Sequence, residues 1–283
     1  MTNEALAGQI AAAVLAEMRR EAPAPADPVS QKEAQPPGQT ASGELMAAMK
    51  KSTSARIGVG RAGARLQTRT MLRLRADHAA ARDAVLLDVS QGLLDRLQLP
   101  ALQSCCASQT EFLTRPDLGR CLPEEGRKAL QKLQTAPCDV LIFLADGLSS
   151  RAIEANAENL LPVLLDGVKA QGLTVGTAFF VRYGRVALMD QVAALTGARV
   201  VCVLIGERPG LGSAESMSAY LAYEPRTGMP EANRTVVSNI YSGGLAAVEA
   251  GAYIAELIGT IHKAGASGVQ LRERGEYDLA IKR

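Results

Sequence analysis

The chain has 283 residues, 47% hydrophobic and 21% charged, and carries a formal charge of +2. This supplies a sizeable core for one large domain, or one domain with an appendage, and points to a folded enzyme or enzyme subunit. No apolar stretch reaches the roughly 18–20 residues needed to span a bilayer, and no basic segment followed by a signal core opens the sequence, so a soluble chain that stays inside the cell is expected.

Residues 1–20 read as a short amphipathic helix, with Leu6, Ile10, Val14 and Met18 repeating every four positions. Residues 22–39 are rich in Pro and Ala, a linker not expected to hold fixed structure. A helix on such a tether either frays at the surface or docks on another molecule.

Helices are expected over 44–54 and 68–89, separated by the stretch from Arg56 to Arg65, where Gly58, Gly60 and Gly63 oppose regular helix. The charge is uneven here. Lys50, Lys51, Arg56, Arg61, Arg65, Arg69, Arg73, Arg75 and Arg82 stand against Asp77 alone. Arg61, Arg65, Arg69 and Arg73 are spaced four apart and share a face wherever the backbone is helical. The block is either a solvated basic face or a grip on an acidic partner, a phosphate or nucleic acid. Nucleic acid fits poorly, because the chain has no Trp and only 4% aromatics to stack bases.

From about Pro137 strands and helices alternate. A strand over 140–145 leads into Asp146-Gly147-Leu148-Ser149 and a helix over 155–171. A strand over 174–182 leads into Tyr183-Gly184-Arg185 and a helix over 190–196. A strand over 199–205 runs into Gly206-Glu207-Arg208-Pro209-Gly210-Leu211-Gly212; a strand over 218–223 and a helix over 245–263 follow. This spacing predicts an α/β fold, Rossmann-like, with a mainly parallel sheet covered by helices and function carried by the loops. Three regions result: 1–43 with the amphipathic helix and Pro/Ala-rich linker, 44–135 helical and Arg-rich, and 136–283 with the Rossmann-like layout.

Several chemistries lack their residues. Gly58-Val59-Gly60-Arg61-Ala62-Gly63 matches a dinucleotide fingerprint by letters, but no apolar strand precedes it, and no P-loop occurs. His78 and His262 lie in separate predicted helices, and the five cysteines have no paired C-x-x-C spacing, so no zinc or iron ligand set is expected. The cysteines read as reduced thiols, with Cys105-Cys106 the only pair suggesting redox chemistry.

The phrases Arg56-Ile57-Gly58-Val59-Gly60-Arg61-Ala62-Gly63, Leu113-Thr114-Arg115-Pro116-Asp117-Leu118-Gly119-Arg120, Asp146-Gly147-Leu148-Ser149, Phe180-Val181-Arg182-Tyr183-Gly184-Arg185-Val186, the Gly206–Gly212 loop and Ser238-Asn239-Ile240 occur in an order and at spacings with a known parallel. Over about residues 45–268 the chain closely resembles the small subunits of ethanolamine ammonia-lyase, which convert ethanolamine to acetaldehyde and ammonia with adenosylcobalamin. The resemblance implies a cofactor held base-on between this chain and a large subunit. The chain lacks the Asp-x-His-x-x-Gly motif of the displaced-base mode, since Asp77 and His78 are adjacent.

The resemblance implies cofactor contacts at Val186, at Glu207 and, in the Arg234-Thr235-Val236-Val237-Ser238-Asn239 phrase, at Val236. Relatives carry Cys at the last position, so a backbone contact is what survives there. Glu207 can accept from corrin amides or pair with Arg185 or Arg208, and Val186 is either a cofactor contact or a core valine. Arg185 can donate to an amide carbonyl or to the nucleotide-loop phosphate.

The family's substrate barrel and its radical deamination chemistry lie with the large subunit, so no catalytic residue is assigned to this chain. An α6β6 assembly, a basic arm gripping the large subunit, and a cytoplasmic location inside a bacterial microcompartment reached through residues 1–20 complete what the resemblance implies. An independent Rossmann-like small-molecule or nucleotide binder and a microcompartment docking adaptor are the alternative readings. The charged segment 269–283 extends beyond the resemblance and is assigned no function.

Overall fold

A computed structural model describes residues 42–53 and 55–275, and the chain divides into two compact units between Gly58 and Val59. The helix expected over 1–20 and the linker over 22–39 lie outside the described residues. In the first unit, helix α1 (Ser42–Lys51) places Glu44 in its first turn and Lys50 and Lys51 in its last, complementing the helix dipole at both ends.

The described part of the second unit opens with a two-strand hairpin, β1 (Arg61–Ala62) and β2 (Arg65–Leu66), reversing at Gly63 with φ +62°. Helix α2 (Thr68–Leu86) follows. Of the four arginines at fourfold spacing, Arg61 and Arg65 are therefore on strands and only Arg69 and Arg73 share a helix. Within α2 only Ala81 and Ala84 are buried, while Met71, Leu72 and Leu86 are exposed. A short helix, α3 (Gln91–Arg96), is capped by the Ser90 hydroxyl, which accepts from the Leu93 amide at 3.3 Å, and buries Leu93 and Leu94.

The sheet has six strands: β3 (Ala101–Gln103), β4 (Val140–Ala145), β5 (Phe179–Arg182), β6 (Val200–Gly206), β7 (Met217–Tyr223) and β8 (Thr235–Ile240), in the order β3-β5-β4-β6-β7-β8. The first four in that order are mutually parallel, and β7 and β8 add antiparallel. The fold is mixed α/β with a mostly parallel sheet. Between β3 and β4 lie α4 (Gln109–Thr114), a 3₁₀ turn at Leu118–Arg120 and α5 (Glu124–Leu133). Helix α6 (Ser150–Ala170) joins β4 to β5, α7 (Leu188–Thr196) joins β5 to β6, and α8 (Ala247–Ala264) and α9 (Gly268–Glu273) follow β8.

The unbroken apolar run Val140–Ala145 is explained by burial on both faces. Val140, Ile142 and Leu144 pack with Leu160 and Leu164 of α6 and Ile254 and Ile258 of α8. Leu141, Phe143 and Ala145 pack with Leu130 of α5 and with Leu188 and Val192 of α7. Each large apolar side chain buried this way contributes roughly 1.5–3 kcal/mol. The segment expected as a strand over 174–182 is regular only over Phe179–Arg182. Ahead of it, the Gln134 side chain takes the place of a ladder partner, donating to the Thr177 carbonyl at 2.6 Å and accepting from its amide at 3.1 Å.

The chain leaves β4 toward α6 on one face and leaves β5 toward α7 on the other. Adjacent parallel strands whose connections part in this way leave a crevice at their carboxyl ends. Of the charged C-terminal segment, α9 docks through buried Leu271. Ser267 joins it to the sheet, accepting from the Tyr223 amide at 3.0 Å and donating to the Asn233 carbonyl at 2.6 Å. Among the described residues no helix is long and apolar enough to cross a membrane.

Candidate functional site

The crevice opens into a cavity of about 320 Å³ bounded by the loops after β4, β5 and β6 and by the inner face of β7 and β8. Arg185 and Val186, Glu207 and Val236, from three separate stretches of sequence, all line it.

Close backbone approach shapes its floor. Gly206 ends β6 against the loop after β4, where a Cβ would stand 2.1 Å from the Ser149 carbonyl and 2.5 Å from that of Asp146. Gly147, at φ +57°, faces it, and its own Cβ would stand 2.5 Å from the Gly206 carbonyl. With both side chains absent, the Leu148 amide donates to the Gly206 carbonyl at 3.1 Å. Ser149 reinforces the junction: its hydroxyl caps α6 by accepting from the Ala152 amide at 3.1 Å and donates to the Ala214 carbonyl at 2.6 Å.

Glu207 follows β6 directly and opposes Ser216, whose carbonyl accepts from the Glu207 amide at 3.0 Å. Ser216 stands just before β7 and Ser218 lies two residues on within it, and both hydroxyls reach the carboxylate. Ser216 donates to Oε2 at 2.6 Å, Ser218 donates to Oε1, and the Asn239 amide donates to Oε1 at 3.2 Å. A carboxylate accepts about four hydrogen bonds, so one acceptor position, on Oε2, remains for a ligand.

Arg185 is held differently. Its guanidinium lies 4.5 Å from the Phe112 ring centroid, and Nη2 donates to the Phe112 carbonyl at 2.6 Å. Phe112 itself stacks on Tyr183 with centroids 6.0 Å apart. Desolvation lowers the Arg185 pKa from its ordinary value, and Nε is buried with no hydrogen-bond partner among the described residues. Neither Arg185 nor Glu207 thus depends on the other for its contacts. Val186 packs on the core below and also lines the cavity. Val236, opposite Tyr220 in the β7–β8 register, is 42% exposed and presents an apolar surface at the rim.

Sequence reasoning passed over the groups that hold these residues: Ser216 and Ser218 for Glu207, Phe112 for Arg185, and Asp146 behind the floor. The Ser-x-Ser spacing was the one signal available for the first pair. Phe112 comes from a segment with no local mark of the site.

The two histidines lie apart, on α2 and α8, and His262 sits 3.4 Å from Asp139. No group of three metal-ligating side chains occurs among the described residues. All five cysteines are free thiols. Cys106 is buried beside Phe112, whereas the Cys105 amide donates to the Cys121 carbonyl at 2.9 Å; burial pushes the Cys105 thiol up to about 11.

Comparison with known proteins adds an independent line. A family model described as ethanolamine ammonia-lyase light chain (EutC) matches residues 43–272. An ethanolamine ammonia-lyase small subunit from Clostridium tetani is 54% identical over 224 residues, 79% of this chain and 76% of the relative. The corresponding proteins of Clostridium perfringens and Fusobacterium nucleatum are 53% and 54% identical, over 79% of this chain and 76% of each relative. The chain belongs to the ethanolamine ammonia-lyase light chain family.

Proposed function

We propose that this chain is the small subunit of an adenosylcobalamin-dependent ethanolamine ammonia-lyase and that its cavity forms one wall of a cobalamin pocket completed by the large subunit. The observation that carries the reading is the convergence of Arg185, Val186, Glu207 and Val236 on one cavity at the carboxyl end of the sheet. The layout supports a Rossmann-like description, with the ligand crevice at the switch between β4 and β5.

The residues present fit the group. A corrin offers a broad apolar plane fringed with amides, and the cavity offers Val186, Ile205, Leu148 and Val236 beside an open acceptor on Glu207 and the unpaired Nε of Arg185. At about 320 Å³ the cavity is at the lower end of the roughly 300–1,000 Å³ range of complete pockets for drug-sized ligands. A ligand larger than those needs a second wall, which supports a shared site.

When bound, adenosylcobalamin supplies the radical that initiates deamination. This chain's residues bind and orient: Glu207 accepts from an amide N–H, Arg185 donates to an amide carbonyl or phosphate oxygen, and the apolar rim excludes water. No side chain of this subunit takes a catalytic role. The exposed Arg73, Arg75 and Arg82 of α2 suit a contact with the large subunit in an α6β6 complex, and residues 1–20 suit docking to a microcompartment shell.

The test mixes the purified chain with a matching large subunit and adenosylcobalamin and follows acetaldehyde formation from ethanolamine. Turnover in the mixture alone supports the division of labour. A chain that neither associates nor restores activity, yet binds a small molecule by itself, is the independent binder.

A further inference from the structure

We propose that Asp146 is a positioning residue for the cofactor wall, clasping the loop after β5 to the loop after β4 so that Arg185 and Val186 stand at the cavity; this rests on the cobalamin reading above. Asp146 is the first residue beyond β4, is 5% exposed, and does not itself line the cavity. Its Oδ1 accepts from the Gly147 amide at 2.9 Å and its Oδ2 from the Tyr183 amide at 2.9 Å, while the nearby Gly184 amide also favours the ionised form.

Tyr183 needs such a hold. Its φ of +57° is a left-handed conformation that a bulky side chain adopts only under constraint. The reversal at Tyr183 and Gly184 turns the chain so that the next two residues, Arg185 and Val186, line the cavity. A carboxylate accepts from both amides at once, one on each oxygen. An asparagine in the same place offers one acceptor oxygen and sets its NH₂ donor against an N–H.

Ionisation controls the strength of the clasp. Burial pushes the Asp146 pKa up to about 7, against the opposing pull of the three amides and of Arg182. The titratable and charged groups facing it are few. From β5 come Arg182 and Tyr183, both bonded to Asp88. Glu207 follows Gly206, which packs on the Asp146 carbonyl, and its carboxylate is committed to Ser216 and Ser218. Protonation weakens Asp146 as an acceptor and loosens Tyr183. If the ionised form alone orders the wall, the competent fraction falls from about 0.9 at pH 8 to about 0.1 at pH 6, and apparent cobalamin affinity falls up to about tenfold.

The experiment titrates cyanocobalamin into the reconstituted two-subunit complex at pH 8, 7 and 6, reading bound cofactor by equilibrium dialysis, for wild type, Asp146→Asn and His262→Gln. Wild type and His262→Gln should lose affinity about three- to tenfold from pH 8 to pH 6. Asp146→Asn should be weaker at pH 8 and nearly flat. A wild-type profile that is flat, or that tightens at lower pH, overturns the clasp, as does Asp146→Asn binding with the wild-type affinity and profile. Absence of cyanocobalamin binding by wild type at every pH sinks the cobalamin reading and the clasp with it. Should Asp146→Asn not fold, amide proton shifts in the full wild-type chain decide: those of Gly147, Tyr183 and Gly184 should titrate together near pH 7, and their constancy between pH 5 and 9 refutes the proposal.

Discussion

In Glu207→Gln the side chain keeps its shape and loses its charge, and the surroundings of the carboxylate fix the effect of each. Oε1 holds two donors, the Ser218 hydroxyl and the Asn239 amide, of which the amide cannot reverse. Glutamine therefore places its carbonyl oxygen there and its NH₂ toward Ser216, whose hydroxyl rotates to accept. All internal partners stay satisfied, so the change in folding stability should be within about 1 kcal/mol. The open acceptor position on Oε2, however, becomes a donor. A ligand amide loses a hydrogen bond to a charged group, costing about 1.5–3 kcal/mol, or roughly 10- to 150-fold in Kd. Cobalamin titration of the reconstituted complex reads the second effect, and urea unfolding of the isolated chain reads the first. Glu207→Ala should show both losses, because it strands two hydroxyls and an amide. An unchanged cobalamin Kd in Glu207→Gln would mean that Glu207 only organises the ends of β6, β7 and β8, and the ligand role argued for it would be wrong.

Gly206→Ala should cost about 2–3 kcal/mol or more in urea unfolding, since the new Cβ meets two backbone carbonyls that have no rotamer to change; a midpoint within error of wild type would contradict the packing described. Asp190→Ala leaves the Arg234 guanidinium, 1% exposed, without its paired contacts at 2.9 and 3.1 Å, and should cost about 3 kcal/mol, the lower end of the range because Glu231 still accepts from Nε. Removal of residues 1–39 should leave turnover of the reconstituted enzyme within about twofold, because the family match begins at residue 43; a large loss would tie this segment to the reaction. Asp146 has a folded pKa of about 7 against 3.8 in its ordinary state, so its contribution to stability is fully present below about pH 4 and is lost as pH rises through about 7. The loss is at most about 4 kcal/mol at about 1.36 kcal/mol per pH unit, and the urea midpoint of Asp146→Asn should change less between pH 5 and 8 than that of wild type.

How much of this was legible depends on which interactions are local. β4 and β6 were visible because a strand buried on both faces must be apolar at every position, and their loops were visible because Gly147 and Gly206 punctuate them. β3 was not, since three residues of which only Leu102 is partly buried leave no periodic trace. β8 was missed for a related reason: an edge strand that exposes Val236, Ser238 and Asn239 reads as a polar loop. The helix expected over 155–171 begins at Ser150, because the capping signal of Ser149 lies before the apolar repeat. The four cavity residues came from the family likeness, whereas the serines, Phe112 and Asp146 that position them act across 9 to 73 residues of sequence, and apart from the Ser-x-Ser repeat nothing in the spacing marks them.

The count of open valences bears on why such a wall needs a second subunit. Of the polar groups around the cavity, Glu207 has spent three acceptor positions internally, Arg185 has spent Nη2 and its ring face on Phe112, and Asp146 serves only the backbone. That leaves one acceptor position on Glu207 and the remaining guanidinium N–H groups of Arg185, with Arg208 and Ser238 also lining the cavity. Each hydrogen bond to a charged group is worth about 1.5–3 kcal/mol, while a millimolar Kd alone requires about 4.1 kcal/mol. Apolar contact with Val186 and Val236 adds to this, but fixing a large ligand on an open surface subtracts from it. Groups locked in place this way lose little further freedom on binding, which suits a rigid half-site. On the cobalamin reading proposed above, the rest of the corrin is left for the large subunit to cover.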